Sequence, residues 1–443
     1  MITLPRRPRG GVHPENRKAV TRSLSIRNAA VPSRCVVPLL QHAGPAAVPA
    51  VRVGDRVREG MLIGRAADSA AANVHAPVPG VVTGTATLTL ADERSCEAFV
   101  IDLEGEFDRL GKVAEPIDWQ RKSVRELLRG IRDNGVVGMS GSGNAVHRKL
   151  NLPRAAEINH LIVNGIENEP YLSADNRLMI EMTDGVLEGT RIAERILRPQ
   201  RVTIALQKDS TQAIRKLRRR IRERGLDYAV RALPVNYPQG DERLLARAIS
   251  GREVSAERET SEIGVMVSSV ATMYAVFEAI VYQKPVIERI VTLSGAALRS
   301  PANIKVRIGT PIAELIAECG GFVESPEKIV VGGPMMGHTI IDVSTPVTKL
   351  TTAVLALTAA EIHHGAETGC IRCGRCVRAC PVGLEPTTLY KMLEHTELEQ
   401  AQAAGLFDCI ECGCCGFICP AHIPLVEGLK NGKLAVRQHG GRM

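Results

Sequence analysis

At 443 residues the chain is long enough to bury several cores, so it needs no disulfide staples to fold. Its formal net charge of +8 permits an acidic partner or an anionic surface without requiring one, and no apolar run approaches the roughly 18 residues of a membrane-spanning helix. The opening residues, MITLPRRPRGGVHPENRK, lack the apolar segment of a secretory signal, which predicts a reducing compartment where clustered cysteines act as metal ligands.

Residues 1–112 read as a first domain. In VRVGDRVREGMLIGRA and VHAPVPGVVTGTATLTL apolar residues alternate around Gly54-Asp55, which predicts a hairpin. The pattern resembles the barrel-sandwich domains that carry biotin or lipoate. Those carriers present a lysine on the turn between their halves. The intervening RAADSAAAN has none, so the expectation is a structural or docking domain.

Residues 113–284 read as an α/β domain. Ser123 with Glu126 forms a capping box before a helix whose Val124, Leu127, Leu128 and Ile131 share a face, and Gly135 is a stop. Strand-like INHLIVNG and RVTIAL, helical TQAIRKLRRRIRERG and strand-like YAVRALPVNYP then alternate, as in a doubly wound sheet that binds ligands at its strand C-terminal ends. The basic run Arg215–Arg224 carries an apolar stripe of Ile214, Leu217 and Ile221, so its arginines are expected to solvate a helix face rather than bind nucleic acid. Gly138, Gly141 and Gly143 leave backbone N–H groups free to approach a phosphate, and Lys149 could add a point charge. SGSG is equally ordinary linker composition. Beyond the strand ending at Asn164-Gly165 stand Glu167, Asn168 and Glu169, where such a sheet addresses a ligand; a flavin pyrimidine edge suits Asn164, Glu167 and Glu169, and a helix cap with solvated acids suits them too.

Residues 285–350 have short apolar runs broken by Gly, Pro and Asn, which predicts a small β-rich domain with one helix near Pro311–Cys319 and turn chemistry at Gly332-Gly333-Pro334. TTAVLALTAAEIHHG is expected to link it to residues 351–443. There CIRCGRCVRACP and CIECGCCGFICP repeat the Cys-x2-Cys-x2-Cys-x3-Cys-Pro spacing of bacterial ferredoxins. Zinc sites, commonly two Cys-x2-Cys pairs, match poorly. In two-cluster proteins the fourth cysteine ligates the other cubane, which assigns Cys370, Cys373, Cys376 and Cys419 to one [4Fe-4S] cluster and Cys409, Cys412, Cys415 and Cys380 to the second. Gly374 and Gly413 let the backbone turn near the sulfurs, Cys414 is a spare thiol, and helix-like PTTLYKMLEHTELEQAQAAGL connects the runs. The tail has Leu425, Leu429 and Val436 beside Lys430, Lys433 and Arg437; it reads either as a weakly amphipathic membrane-surface segment or as a disordered tail.

In order along nearly the whole chain, GGVHPENRK, GVVGMSGSG…HRKL, VNGIENEPYLSADNRLM, IERIVTLSG, KIVVGGPMMG and the two cysteine runs resemble the C subunit of the Rnf electron-transport complex. The resemblance implies a multidomain α/β and β protein: a barrel-sandwich N-terminal domain, a Rossmann-like flavin domain shared with the flavin subunit of respiratory complex I, a soluble-ligand-binding β-grasp domain and an α-helical two-cluster ferredoxin domain. It also implies FMN, two [4Fe-4S] clusters and NAD(H) as substrate. The implied place is the cytoplasmic face of the bacterial inner membrane, peripheral to the other subunits of an ion-translocating complex, with ferredoxin or flavodoxin reached indirectly and no nucleic acid. The family's Gly-Gly-Ala-Gly-Phe-Pro loop carries Ser140, Ser142, Asn144 and Ala145 at four of its six places here; Asn168 stands where Cys is common, and Ser269 where Asn is usual. A soluble cobalamin-reductase-like enzyme and a cluster-bearing relay without flavin are the competing expectations.

Overall fold

The computed structural model describes residues 10–107, 115–153, 156–255, 258–362 and 365–440. The expected boundary at 112/113 lies outside them. The N-terminal unit is a barrel sandwich. A four-stranded sheet of Arg34–Pro38, Ser95–Leu103, Gly80–Thr89 and Arg56–Val57 shares one core with a three-stranded sheet of Val48–Pro49, Leu62–Arg65 and Val74–His75. The hairpin expected at Gly54-Asp55 is absent. Val48–Pro49 pairs with Leu62–Arg65, whereas Arg56–Val57 pairs with Gly80–Thr89. The turn carries the chain from one sheet to the other, which local alternation cannot distinguish from a hairpin.

The next unit has a fully parallel sheet in the order Tyr228–Leu233, Arg201–Gln207, His160–Gly165, Val265–Ser269. Its central strands are near-continuous apolar runs because helices cover both faces. Ser123 and Glu126 close the expected capping box on helix Val124–Asp133, and Leu127 and Ile131 are fully buried. Helix Thr211–Glu223 buries Ala213, Ile214, Leu217 and Ile221, and its Arg220 pairs with Asp184 at 2.8 Å. The basic run therefore solvates one face and pairs within the fold.

Helix Thr183–Leu197 crosses helix Val270–Val281 at Gly189, where an added Cβ would lie 1.8 Å from Met273 O. A backbone atom cannot yield as a side chain can. Gly189→Ala is expected to destabilise the chain by on the order of 1–3 kcal/mol, read as a lowered unfolding midpoint in denaturant.

The third unit is a six-stranded mixed sheet in the order Ile26–Asn28, Ala302–Arg307, Glu288–Ser294, Ala353–Leu357, Lys328–Val331, His338–Ile340, with helix Ile312–Glu318. Two of its strands come from outside the expected span of 285–350. Ile26–Asn28 forms one edge, and Ala353–Leu357, expected as part of a linker, is an interior strand with all five residues buried. A short apolar run reads alike as linker or buried strand until its partners are known. We propose that this domain ends after Leu357 rather than at residue 350. A buried ionic network ties the sheet to its neighbours: Lys284 bonds Glu278 at 2.7 Å, Lys305 bonds Glu288 at 2.7 Å, and Arg307 reaches Glu59 of the barrel sandwich at 2.6 Å.

The last unit is helical. The helix-like stretch expected between the cysteine runs forms two helices, Pro386–Glu394 and Leu398–Ala403, separated at Thr396, whose φ is +58°. The tail is helix Leu425–Gly440, in which Leu425, Leu429 and Val436 are buried while Leu434 is exposed. Built Cβ atoms on Gly428 and Gly432 would fall 2.4 Å from the Tyr390 ring and 2.3 Å from Leu393. These glycines let the helix approach Pro386–Glu394 closely. The expectation of a disordered tail is thereby corrected over residues 425–440, and Leu425, Leu429 and Val436 are already packed within the domain rather than free for a membrane surface. Among the described residues no helix is long and apolar enough to cross a membrane.

Candidate functional site

The parallel sheet reverses its winding between His160–Gly165 and Val265–Ser269, with Asn164 paired to Ser269 in register. A crevice outside the C-terminal ends of strands at such a switch point is where open α/β sheets bind ligands. Here it is a cavity of about 540 Å³, within the range of small-molecule and cofactor sites. Its walls come from the glycine loop, the strand ends, the β-grasp turn at Gly332-Gly333 and the second cysteine run at Ile410 and Cys412.

The loop is closed at its base. Gly138 N–H donates to Asn144 O at 2.9 Å and Gly143 N–H to Gly138 O at 3.1 Å. Met139 N–H donates to Thr272 Oγ1 at 3.0 Å, wiring the loop to the start of helix Val270–Val281, whose N-cap is Ser269. At the tip, the N–H groups of Ser140, Gly141 and Ser142 have no partner among the described residues. Gly141 has φ +99° and open space around its Cβ position. Gly143 does not line the cavity. It is buried against the barrel sandwich, its carbonyl accepting from Ala43 N–H at 3.0 Å.

The other expected cofactor residues divide by what already holds them. Lys149 lines the cavity, but its ammonium is paired with Glu242 at 2.7 Å. Asn164 donates to Gly240 O and accepts from Ile166 N–H, both at 2.9 Å, so its amide braces the strand end. Glu167 accepts from Asp175 N–H at 2.9 Å and Asn176 N–H at 3.3 Å, which makes it a cap for helix Ala174–Glu181. The cap reading is right for Glu167, and the chemical reason is the row of orphan amides at a helix start. Glu169 differs. Its Oε2 accepts from Met335 N–H at 3.0 Å, while buried Oε1 has no hydrogen-bond partner among the described residues. Burial pushes its carboxyl up to about 7 against the N–H groups of Met335 and Met336. Free amides at the loop tip and an orphaned carboxyl oxygen in one cavity suit an anionic ligand with a polar ring, as a flavin mononucleotide is.

Three cavity residues escaped the sequence. Arg289 grips Met139 O from the β-grasp sheet, Tyr237 donates its hydroxyl to Cys412 O at 2.6 Å, and Thr272 holds the loop. Buried Lys18 reaches Glu167 O; GGVHPENRK marked it only by resemblance. Spacing along the chain carries no signal for contacts between domains.

Both cysteine runs adopt the same backbone. Arg372 and Glu411 each have φ +55°, and Gly374 and Gly413 follow at +67° and +81°. Cys370, Cys373, Cys376 and Cys419 line one cavity of about 510 Å³ with Thr387. Cys380 is not among them and packs in one apolar cluster with Cys409; burial and the neighbouring Cys409, Cys412 and Cys380 push the Cys415 thiol up to about 12. Leu384 N–H points at Cys380 Sγ at 3.3 Å and Glu411 N–H at Cys409 Sγ at 3.4 Å, as donors that stabilise cluster thiolates do. Lys433 of the tail helix donates to Cys409 O at 2.6 Å and Glu411 at 2.7 Å. Among the described residues no three His, Cys, Asp or Glu side chains converge closely enough for a single metal ion. The two thiol sets suit cubane corners. Cys414 is buried with its sulfur 3.9 Å from Tyr237 O, a packing position.

Four family models match the chain: the RnfC barrel sandwich hybrid domain over residues 7–106, the Nuo51 FMN-binding domain over 131–278, the SLBB domain over 290–339 and the 4Fe-4S dicluster domain over 364–420. The chain is 40% identical over 434 residues to the C subunit of the ion-translocating oxidoreductase complex of Rhodobacter capsulatus, covering 97% of this chain and 83% of that one. It is 37% identical over 381 residues to the C subunit of the proton-translocating ferredoxin:NAD(+) oxidoreductase complex of Clostridium ljungdahlii, covering 86% and 83%. A chain of the NAD+-reducing [NiFe]-hydrogenase in its H2-reduced state superposes with a TM-score of 0.51 at 15% identity, over 71% of this chain and 61% of that one; this is a likeness of fold.

Proposed function

The chain belongs to the family of C subunits of ion-translocating oxidoreductase complexes, and on that premise we propose that it passes electrons between NAD(H) and two [4Fe-4S] clusters by way of FMN. It works as a peripheral subunit on the cytoplasmic face of the bacterial inner membrane, with the other subunits of the complex as partners and ferredoxin or flavodoxin reached indirectly. The observation that carries this reading is that the glycine loop and Cys412 line one cavity.

FMN supplies the exchange between a two-electron hydride and the single electrons that a cubane accepts. The protein's own part follows from its residues. Amides of Ser140, Gly141 and Ser142 would receive the phosphate, and the N-terminal dipole of helix Val270–Val281 would favour its negative charge. Glu169, whose carboxyl burial pushes up to about 7, would offer its unpartnered oxygen to the polar edge of the ring. Tyr237 joins the cavity wall to the loop of the second cluster. The first set, with Cys373 exposed and Ile371 67% exposed, faces outward. Since Leu425, Leu429 and Val436 of the tail are packed within the cluster domain, attachment rests on protein partners.

Anaerobic purification with iron, sulfide and flavin quantified together tests this. Roughly eight iron, eight sulfide and one FMN per chain are expected, with bleaching of cluster absorption on adding NADH. Full iron and sulfide without flavin would turn the reading to a relay subunit.

A further inference from the structure

We propose that Arg289, contributed by the β-grasp sheet, is the buried counter-charge of the flavin phosphate, acting through the Met139–Ser140 peptide as a positioning residue of the phosphate loop. This rests on the flavin reading and names a residue outside the flavin domain. Arg289 opens strand Glu288–Ser294 and is 6% exposed. Its guanidinium is held by carbonyls alone: Lys349 O, Met139 O at 3.2 Å and, weakly, Ile290 O at 3.5 Å. No carboxylate among the described residues lies within ion-pair distance of it. A buried cation without an anion is costly, and carbonyls repay only part of that cost.

The acid whose field it feels is Asp175. Asp175 is itself driven toward its neutral form by burial and by Glu167, so it is a poor counter-ion. The other Lys and Arg residues that line the cavity are already engaged, Lys149 with Glu242 and Arg94 with Asp92, and nearby Lys18 is held by Glu167 O. Arg289 is therefore the positive charge left over in this cavity, and it lines the same space as the loop tip.

The connection is direct. The carbonyl it grips belongs to the peptide whose other end is the Ser140 N–H. In a trans peptide these two groups point in opposite directions. A cation on the oxygen polarises the N–H for an anion on the far side, and hydrogen bonds in such a chain strengthen one another. The guanidinium also fixes the orientation of the first of the three free amides.

The test compares FMN with riboflavin, which has the ring but no phosphate. The full chain is stripped of flavin and titrated with each, reading flavin fluorescence, for the wild type, Arg289→Met and Arg289→Lys. Arg289→Met is expected to weaken FMN at least about tenfold, the scale of one hydrogen bond to a charged group, and to leave riboflavin affinity nearly unchanged. Arg289→Lys, which keeps the charge and the fold, is expected to lie between. Equal weakening of both flavins would reduce Arg289 to a structural strut, and no weakening of FMN in either variant would remove it from the site. Wild type that binds neither flavin would instead overturn the flavin reading itself, and this proposal with it.

Discussion

Replacing Cys380 by serine is expected to remove the cluster built on the other cysteine run, with roughly half the iron lost and the second half spectroscopically intact. Cys380 follows helix Arg375–Ala379 and does not line the cavity that Cys370, Cys373 and Cys376 share. Its sulfur faces Leu384 N–H at 3.3 Å, and it packs in the same apolar cluster as Cys409 of the other run. Cys419 takes the reciprocal position in the cavity of Cys370, Cys373 and Cys376. Low-temperature magnetic spectra of the reduced protein should therefore make Cys380→Ser match Cys409→Ser, and Cys419→Ser match Cys373→Ser. A Cys380→Ser spectrum matching Cys373→Ser would mean that each run holds its own cubane.

Gly141→Val is expected to lower flavin content by an order of magnitude or more in a protein that keeps both clusters. At φ +99° a β-branched residue is strained by on the order of 1–3 kcal/mol, and the loop must shift to relieve it. The new methyl groups enter the space at the loop tip, where three amides stand unpartnered. The loop base is held separately by Gly138, Asn144 and Thr272, so the damage should stay at the tip. Co-purified flavin and iron, measured on one preparation, separate the outcomes. Stoichiometric FMN in this variant would move the phosphate elsewhere in the cavity. Loss of iron together with flavin would mean that the substitution had unfolded more than the loop.

The cysteine runs are legible because a ferredoxin loop is local: spacing, αL glycine and exit proline all lie within twelve residues, and both copies fold alike. Helix Thr211–Glu223 is legible for the same reason, since its apolar stripe and basic face repeat with the helical period. The cavity at the switch point is legible only as a neighbourhood. Gly138, Gly141, Lys149, Asn164, Glu167 and Glu169 do gather at one switch point, yet sequence could not tell a cap from a ligand contact. Glu167 and Glu169 are two residues apart with the same functional group. One meets a helix start, and the other meets the β-grasp turn at Met335.

The order of domains, the cluster-ligand spacing and the glycine-bearing loop follow from the chain alone, because each depends on residues close together along it. Folding in three dimensions was needed to make Ala353–Leu357 a sheet strand and to bury Leu425, Leu429 and Val436 of the tail. It was needed equally to pack Gly143 on the barrel sandwich and to bring Arg289 to the glycine loop. In each case the partner is supplied by a distant segment. An apolar run, a glycine or an arginine carries no mark of which surface will cover it, and burial against that surface is what gives it a role.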